Sequence, residues 1–87
     1  MAVVWVPAPM RDLTGGRETL TVSGATVAEV IAALDRTCPG IRDRLCEADG
    51  LRPGLAVVVN DQVARLGLQE PVGETSEVHF LPAIGGG

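Results

Sequence analysis

The hydrophobic positions of this chain form several short strand-like runs and one helical pattern. Residues 2–6 are continuously apolar and largely β-branched, which is typical of a central strand covered on at least one face. Residues 18–23 alternate Leu20 and Val22 with polar side chains, so they predict a half-exposed strand. Because the turn residues Thr14-Gly15-Gly16 separate the two runs, the pattern predicts a hairpin.

One amphipathic helix is predicted from about Thr26 to Arg36. Its apolar face consists of four residues spaced i, i+3, i+4 and i+7: Val27, Val30, Ile31 and Leu34. Thr26 is followed three positions later by Glu29, which is the signature of a capping box. Pro39-Gly40 is expected to end the helix.

The segment after the helix is rich in turn residues. Residues 41–45 are expected to form one further short turn that carries Arg42 and Arg44 outward. The pairs Asp49-Gly50 and Pro53-Gly54 then predict an exposed loop.

A second hairpin and a last strand complete the pattern. Residues 55–59 are apolar and β-branched, Asn60-Asp61 tolerates the positive φ of a tight turn, and residues 62–64 return as a short strand. Residues 77–81 alternate between polar and apolar side chains, and Pro82 is expected to stop the pairing.

The order strand, strand, helix, strand pair, strand is that of an α+β domain of the β-grasp, ubiquitin-like type. We therefore expect a mixed sheet of four to five strands with one main helix packed on one face. With 87 residues, the chain is long enough for one domain. We assign residues 1–84 to this domain and residues 85–87 to a flexible glycine tail.

Composition excludes several function classes. A net charge of -4 and an aromatic content of 2% leave neither a basic stripe for phosphates nor stacking platforms for bases, so nucleic acid is not an expected partner. No apolar stretch approaches the ~20 residues that span a bilayer, and the N-terminus lacks the features of a signal peptide. We expect a cytoplasmic protein that does not enter membranes.

The sequence shows no autonomous active site. Common nucleophile, metalloprotease and nucleotide-binding motifs are missing, and His79 has no evident orienting partner. Cys38 and Cys46 have neither the spacing nor the neighbours of metal ligands, so we expect two ordinary buried or half-buried thiols and no metal site. The chain is therefore not expected to be an enzyme.

The C-terminus carries the strongest functional signal. Two terminal glycines arise by chance in roughly one chain in two hundred, and Gly85, Gly86 and Gly87 make three. Glycine threads a narrow channel, and its carboxylate is unhindered. Adenylation would make this carboxylate electrophilic, and sulfur transfer would leave a thiocarboxylate. Leu81, Pro82 and Ile84, at the root of the tail, are the expected partner-binding residues.

The chain resembles the ThiS/MoaD family of ubiquitin-like sulfur carriers over essentially its whole length. The most specific segment is the end, Leu81-Pro82-Ala83-Ile84-Gly85-Gly86-Gly87. Within the family it looks closest to the carriers for cysteine biosynthesis, on the evidence of four shorter elements: Val6-Pro7, Arg11, Thr14-Gly15-Gly16 and Val58-Val59-Asn60-Asp61. Gly86 and Gly87 match the functional glycine pair of the family.

The resemblance implies a cycle that depends on partner enzymes. An E1-like adenylyltransferase uses ATP to activate Gly87, a sulfur source forms the thiocarboxylate, and a sulfur-accepting synthase takes the sulfur. In cysteine-forming relatives this synthase depends on pyridoxal phosphate, and a JAMM-type zinc protease releases the product. No cofactor is expected to stay bound to the carrier, which acts as a co-substrate.

Within the family, the thiamine pathway is the third choice, because 87 residues exceeds the length of the shortest thiamine-pathway carriers. Three other functions also stay open on the sequence. One is the small subunit of molybdopterin synthase, whose tail inserts into a catalytic large subunit. Another is a protein modifier joined through Gly87 to lysines of other proteins, since this chain itself contains no lysine. The last is a β-grasp interaction module for which the tail is dispensable.

Overall fold

The computed structural model describes residues 1–48 and 50–82, with the side chain of Pro82 excepted. In these residues the strands, in chain order, are β1 (Ala2–Trp5), β2 (Thr19–Val22), β3 (Cys46–Glu47), β4 (Gly50–Leu51), β5 (Leu55–Val59), β6 (Gln62–Val63) and β7 (Glu77–Pro82). The α-helices are α1 (Val27–Thr37) and α2 (Ile41–Leu45), and two 3-10 helices span Ala8–Thr14 and Gly67–Gln69.

Five of the strands form one mixed sheet in the order β2-β1-β7-β5-β6. β1 pairs antiparallel with β2 and parallel with β7, whereas β5 pairs antiparallel with both β7 and β6. β1 is therefore an interior strand, as its apolar run predicts. β3 and β4 form a separate two-stranded sheet.

The core lies between one face of the sheet and α1. Alternate strand residues point into it because side chains of a strand alternate between its faces. The buried strand residues are Ala2, Val4, Leu20, Val22, Val57, Val59, Val78 and Phe80. The four helix residues expected to face the core are all buried as well, with exposed fractions of 1% or less. The predicted sheet with one main helix on one face is confirmed.

The two residues of the predicted capping box, Thr26 and Glu29, both make capping bonds at the start of α1. The Glu29 backbone N–H donates to Thr26 Oγ1 at 3.2 Å, and the Ala25 N–H donates to Glu29 Oε1 at 3.1 Å. The first bond satisfies a backbone donor that the first helical turn leaves unpaired. The second joins the Glu29 carboxylate to the residue before the N-cap Thr26, whereas in a standard capping box the carboxylate accepts the N–H of the N-cap itself. The helix therefore begins where the sequence places it, and it ends one residue beyond the predicted Arg36.

The turn between β5 and β6 also follows the prediction. Asn60 and Asp61 adopt φ angles of 50° and 68°. Asn60 Oδ1 accepts the Glu77 N–H at 2.9 Å, and its Nδ2 donates to Ser76 Oγ at 3.1 Å. The side chain thereby ties this turn to the start of β7, and β6 is one residue shorter than predicted.

Three local predictions need correction. The connection between β1 and β2 contains the 3-10 helix Ala8–Thr14 as well as the predicted glycine turn, because Pro7 accepts the Met10 N–H at 2.9 Å. The predicted exposed loop includes the hairpin of β3 and β4. Pro82 belongs to β7 and lies opposite Leu55, since a proline at the last position of a strand interrupts no further pairing.

Candidate functional site at the root of the tail

The parallel pairing of β1 with β7 fixes where the C-terminal segment leaves the sheet. Trp5, the last residue of β1, is paired with His79 of β7. Parallel strands run in the same direction, so their C-terminal ends lie at the same end of the sheet. The antiparallel β5 begins at this end, where Leu55 lies opposite Pro82. β7 therefore ends beside the end of β1 and the start of β5.

An apolar groove lies at this end of the sheet, and we call it the tail-root groove. It is lined by residues 5–11, 54–55 and 79–81 and has a volume of about 560 Å³. Its walls come from the end of β1, the first 3-10 helix, the start of β5 and the end of β7. Three segments that are distant in sequence thus form one surface next to the tail.

Aromatic stacking shapes one wall of the groove. The rings of Trp5 and His79 are nearly parallel, with an interplanar angle of 6° and centroids 5.3 Å apart. They project from the sheet face opposite α1, and His79 Nε2 lies 3.8 Å from Glu77 Oε1. His79 is therefore half-buried against a neighbouring strand, where its imidazole serves as a packing surface for the indole ring.

Arg11 holds the first 3-10 helix against the end of β1. Its Nε donates to the Val6 carbonyl at 3.2 Å, and its Nη1 lies 3.9 Å from Glu18 Oε1. Thr14 contributes from the other end of this helix, since its hydroxyl lies 3.0 Å from the Arg11 carbonyl and 2.9 Å from the Arg17 carbonyl. The wall opposite the sheet is thus fixed by hydrogen bonds as well as by packing.

The structure places two of the predicted site residues. Leu81 lines the groove with 45% of its surface exposed, and Pro82 is the last residue of β7. The other predicted residues are Ile84, Gly85, Gly86 and Gly87, and they lie outside the described residues, as does the predicted domain boundary. Their roles stay predictions.

The groove itself was not predicted from the sequence. Two signals point to it in retrospect: Trp5 is a large aromatic residue in an otherwise β-branched run, and residues 7–10 are apolar although they follow the strand. Neither signal shows that these residues meet Leu81, because that contact depends on the parallel pairing of β1 and β7.

Both cysteines match their prediction as ordinary thiols. Cys38 is buried and Cys46 is half-buried. Burial raises the pKa of the Cys46 thiol, although the nearby Arg42 guanidinium opposes this shift. Within residues 1–48 and 50–82, His, Cys, Asp and Glu side chains form no group of three that would hold a metal ion. None of the helices described for this chain has the length and hydrophobicity needed to cross a membrane.

This architecture, with a mixed five-stranded sheet holding one main helix on one face and a C-terminal segment leaving β7, defines a β-grasp protein of the ubiquitin-like class. The ThiS family model matches residues 4–87. The chain therefore belongs to the ThiS family.

Individual relatives are similar over nearly the whole chain. The sulfur carrier protein CysO of Mycobacterium tuberculosis is 33% identical over 89 residues, which cover 97% of this chain and 96% of the relative. Among solved structures, a chain of the Amycolatopsis orientalis BexX/CysO complex is 34% identical, with a TM-score of 0.91 and full coverage of both chains. Small archaeal modifier protein 1 of Haloferax volcanii is 26% identical, with a TM-score of 0.73, and the match covers 99% of this chain and 98% of that one.

Proposed function

We propose that this chain is a sulfur carrier whose C-terminal Gly87 is adenylated, converted to a thiocarboxylate and used as a sulfur donor in cysteine synthesis. The observation that carries this proposal is the family match, which extends to residue 87 and so includes the terminal glycines. The similarity to sulfur carrier protein CysO over 97% of the chain supports the cysteine branch.

The proposed chemistry begins with the carboxylate of Gly87. One of its oxygens attacks the α-phosphorus of ATP in an E1-like enzyme, the bond to the bridging oxygen breaks, and pyrophosphate leaves. Sulfur at the oxidation level of sulfide then attacks the acyl carbon, and AMP leaves with the electron pair of the broken C–O bond. No net oxidation or reduction occurs, and the product is a thiocarboxylate.

The remaining steps also take place on partner enzymes. In a synthase that depends on pyridoxal phosphate, the thiocarboxylate sulfur would replace the oxygen leaving group on the β-carbon of a serine-derived substrate. A C–S bond forms, the C–O bond to the leaving group breaks with its electron pair on oxygen, and the cysteine is built on the end of the carrier. Hydrolysis by a JAMM-type zinc protease releases cysteine and restores the Gly87 carboxylate. Because ATP is consumed in each cycle, we place the cycle in the cytoplasm.

The structure supports this proposal through the position of the tail root. β7 is bonded to β1 on one side and β5 on the other, and Val78 and Phe80 are buried in the core. An enzyme that holds the last residues of the chain therefore meets a firmly supported strand. The solved BexX/CysO complex further supports the general idea that carriers of this kind assemble with other proteins.

A second candidate function is protein modification. It is favoured by the likeness to small archaeal modifier protein 1, at 26% identity over 99% of this chain. In that case the activated Gly87 would be joined to lysines of other proteins, since this chain contains none.

Intact-mass analysis of the protein purified from its native host tests both candidates. We expect a population in which sulfur replaces one oxygen of the C-terminal carboxylate, or a population that carries cysteine. A variant without Gly86 and Gly87 serves as the control and should show neither. High-mass conjugates without a thiocarboxylate would favour the modifier, and an unmodified mass alone, in cells that need the pathway, would overturn both.

A further inference from the structure

We infer that Arg11 supplies positive charge beside the root of the tail in a form that cannot attack an activated Gly87, so that the carrier does not acylate itself. This inference rests on the proposed function, because only an activated C-terminus needs such protection. It gives Arg11 a specificity-determining role, since the acyl group stays available for the sulfur source and for the later acceptors.

The side reaction to be avoided is amide formation within the carrier. The neutral amine of a lysine attacks the carbonyl carbon of the adenylated Gly87, and a C–N bond forms. The C–O bond to AMP breaks with its electron pair on oxygen, and the amine loses a proton to water. Attack by an imidazole or a thiol would give a product that is still activated, whereas the amide is stable. An amine near the tail would therefore remove the carrier from the cycle.

Gly87 can reach the tail-root groove. It lies six residues beyond Leu81, which lines the groove together with Arg11, and an extended chain spans about 3.3–3.6 Å per residue. The Gly87 carbonyl can therefore return to the side chains of the groove lining. Two groups joined by a short chain segment meet at an effective concentration on the order of mM. A nucleophilic amine in the groove would thus compete with external acceptors that are present at lower concentration.

The permanent cation of the groove is a guanidinium. Arg11 Nε donates to the Val6 carbonyl at 3.2 Å, and Nη1 lies 3.9 Å from Glu18 Oε1, so the group is held at the end of β1. The groove lining contains no lysine and no carboxylate. A guanidinium stays protonated in proteins and offers no free electron pair, whereas a lysine amine has a reactive neutral form. Charge is therefore present at this position without a nucleophile.

The rest of the chain agrees with this role. All seven basic residues are arginines, although lysine is among the commonest residues in proteins. Cys38 is buried, and Cys46 lies in a separate pocket that Ala28 and Arg42 also line. Because β1 and β7 are parallel, Met1 lies at the end of the sheet opposite the groove, so its α-amino group is distant from the root of the tail.

The test uses the carrier with Gly87 activated as a thioester, which is obtained by cleaving an intein fusion with a small thiol. Arg11→Lys places an amine in the groove, and Leu81→Lys does so from a second position. Arg42→Lys is the matched control, because Arg42 is exposed and lines a pocket against α1, on the other face of the sheet. Arg11→Gln removes the charge of Arg11 without adding an amine.

Intact mass over time distinguishes hydrolysis from ring closure. The wild-type, Arg42→Lys and Arg11→Gln thioesters should give the free acid. Arg11→Lys and Leu81→Lys should give a product one water lighter than the free acid, at least about tenfold faster than hydrolysis and at a rate independent of protein concentration. Tandem mass spectrometry should place the new amide between Gly87 and the introduced lysine.

Three results would overturn the inference. One is hydrolysis alone in folded Arg11→Lys and Leu81→Lys proteins, and Leu81→Lys decides if Arg11→Lys does not fold. Another is equally fast ring closure in Arg42→Lys, since the position of Arg11 would then not matter. The last is ring closure in the wild type. Because no partner enzyme takes part, failure of the proposed function is recognised separately, by protein from the native host that carries neither sulfur nor cysteine on Gly87.

Discussion

Substitution of Gly24 by alanine tests how closely the connection between β2 and α1 packs against the first turns of α1. Gly24 lies between β2 and α1, and a Cβ atom at this position would lie 2.8 Å from the backbone nitrogen of Val30 and 3.0 Å from its Cγ2. The Val30 N–H donates to the Thr26 carbonyl at 3.0 Å in the first helical turn. The added methyl group would therefore collide with the Val30 backbone, which is held by its hydrogen bond to Thr26. The collision can be relieved only if the whole first turn of α1 shifts.

The size of the effect follows from two opposing contributions. Forcing a methyl group into a well-packed site costs about 1–3 kcal/mol, whereas replacing glycine reduces the entropy of the unfolded chain and returns about 0.4–1 kcal/mol. We expect a net loss of about 1–2 kcal/mol in the free energy of unfolding. For a domain of this size, that loss lowers Tm by roughly 5–15 °C.

Two other glycines provide matched controls. An added Cβ at Gly50 has nothing within 4 Å, and its φ lies outside the left-handed region, so Gly50→Ala should be neutral or slightly stabilising. Gly54 also has open space, but its φ is +85°, so Gly54→Ala should cost about 1 kcal/mol through backbone strain alone. Urea denaturation with a constant m-value gives the three free energies. A Gly24→Ala protein as stable as Gly50→Ala would refute the close contact.

Four further predictions concern the tail, the cysteines and the β5–β6 turn. Deleting Gly86 and Gly87 should abolish sulfur transfer and leave Tm nearly unchanged, since chain ends contribute little to folding; a markedly lower melt would make the tail structural. The double variant Cys38→Ser, Cys46→Ser should still deliver sulfur, and loss of delivery in a folded protein would move the sulfur to a thiol. Because burial raises the pKa of Cys46, its alkylation at pH 8 should be slower than that of free cysteine, and an equal or faster rate would contradict this. Asn60→Ala should lower the free energy of unfolding by about 1–3 kcal/mol through the loss of two hydrogen bonds, and an unchanged urea midpoint would exclude that role.

Helix α1 and the turn between β5 and β6 could be predicted from the sequence, because both depend on interactions between residues close together in the chain. The apolar spacing from Val27 to Leu34 and the pair of Thr26 and Glu29 determine the helix and its start within one turn. Asn60 supplies both the positive φ of its turn and the side chain that binds Glu77 and Ser76. The first role is visible in a sequence, whereas the partners lie at least 16 residues away and appear only in the structure.

The missed elements depend on contacts between distant residues. The first 3-10 helix faces α2, where Arg44 lies within 3.4 Å of both the Pro9 carbonyl and Asp12 Oδ2. The hairpin of β3 and β4 is supported by Arg52, which donates to the Asp43 carbonyl through Nε and Nη2 at 3.0 and 2.8 Å. Arginine side chains make these bonds across gaps that no local periodicity reveals. The tail-root groove belongs to the same category, because three separate segments form it.

The position of β7 connects the fold with the proposed chemistry. In the proposed function an enzyme binds the last residues of the chain, and a strand bonded on one side only would separate from the sheet more easily than one held on both sides. β7 is bonded on both sides, and Val78 and Phe80, with exposed fractions of 0% and 2%, pack in the core directly before the tail. Local opening at such a strand requires loss of the core, so its free energy approaches that of global unfolding. In the proposed cycle, this sheet order would let partner enzymes act on the terminal glycines without unfolding the carrier.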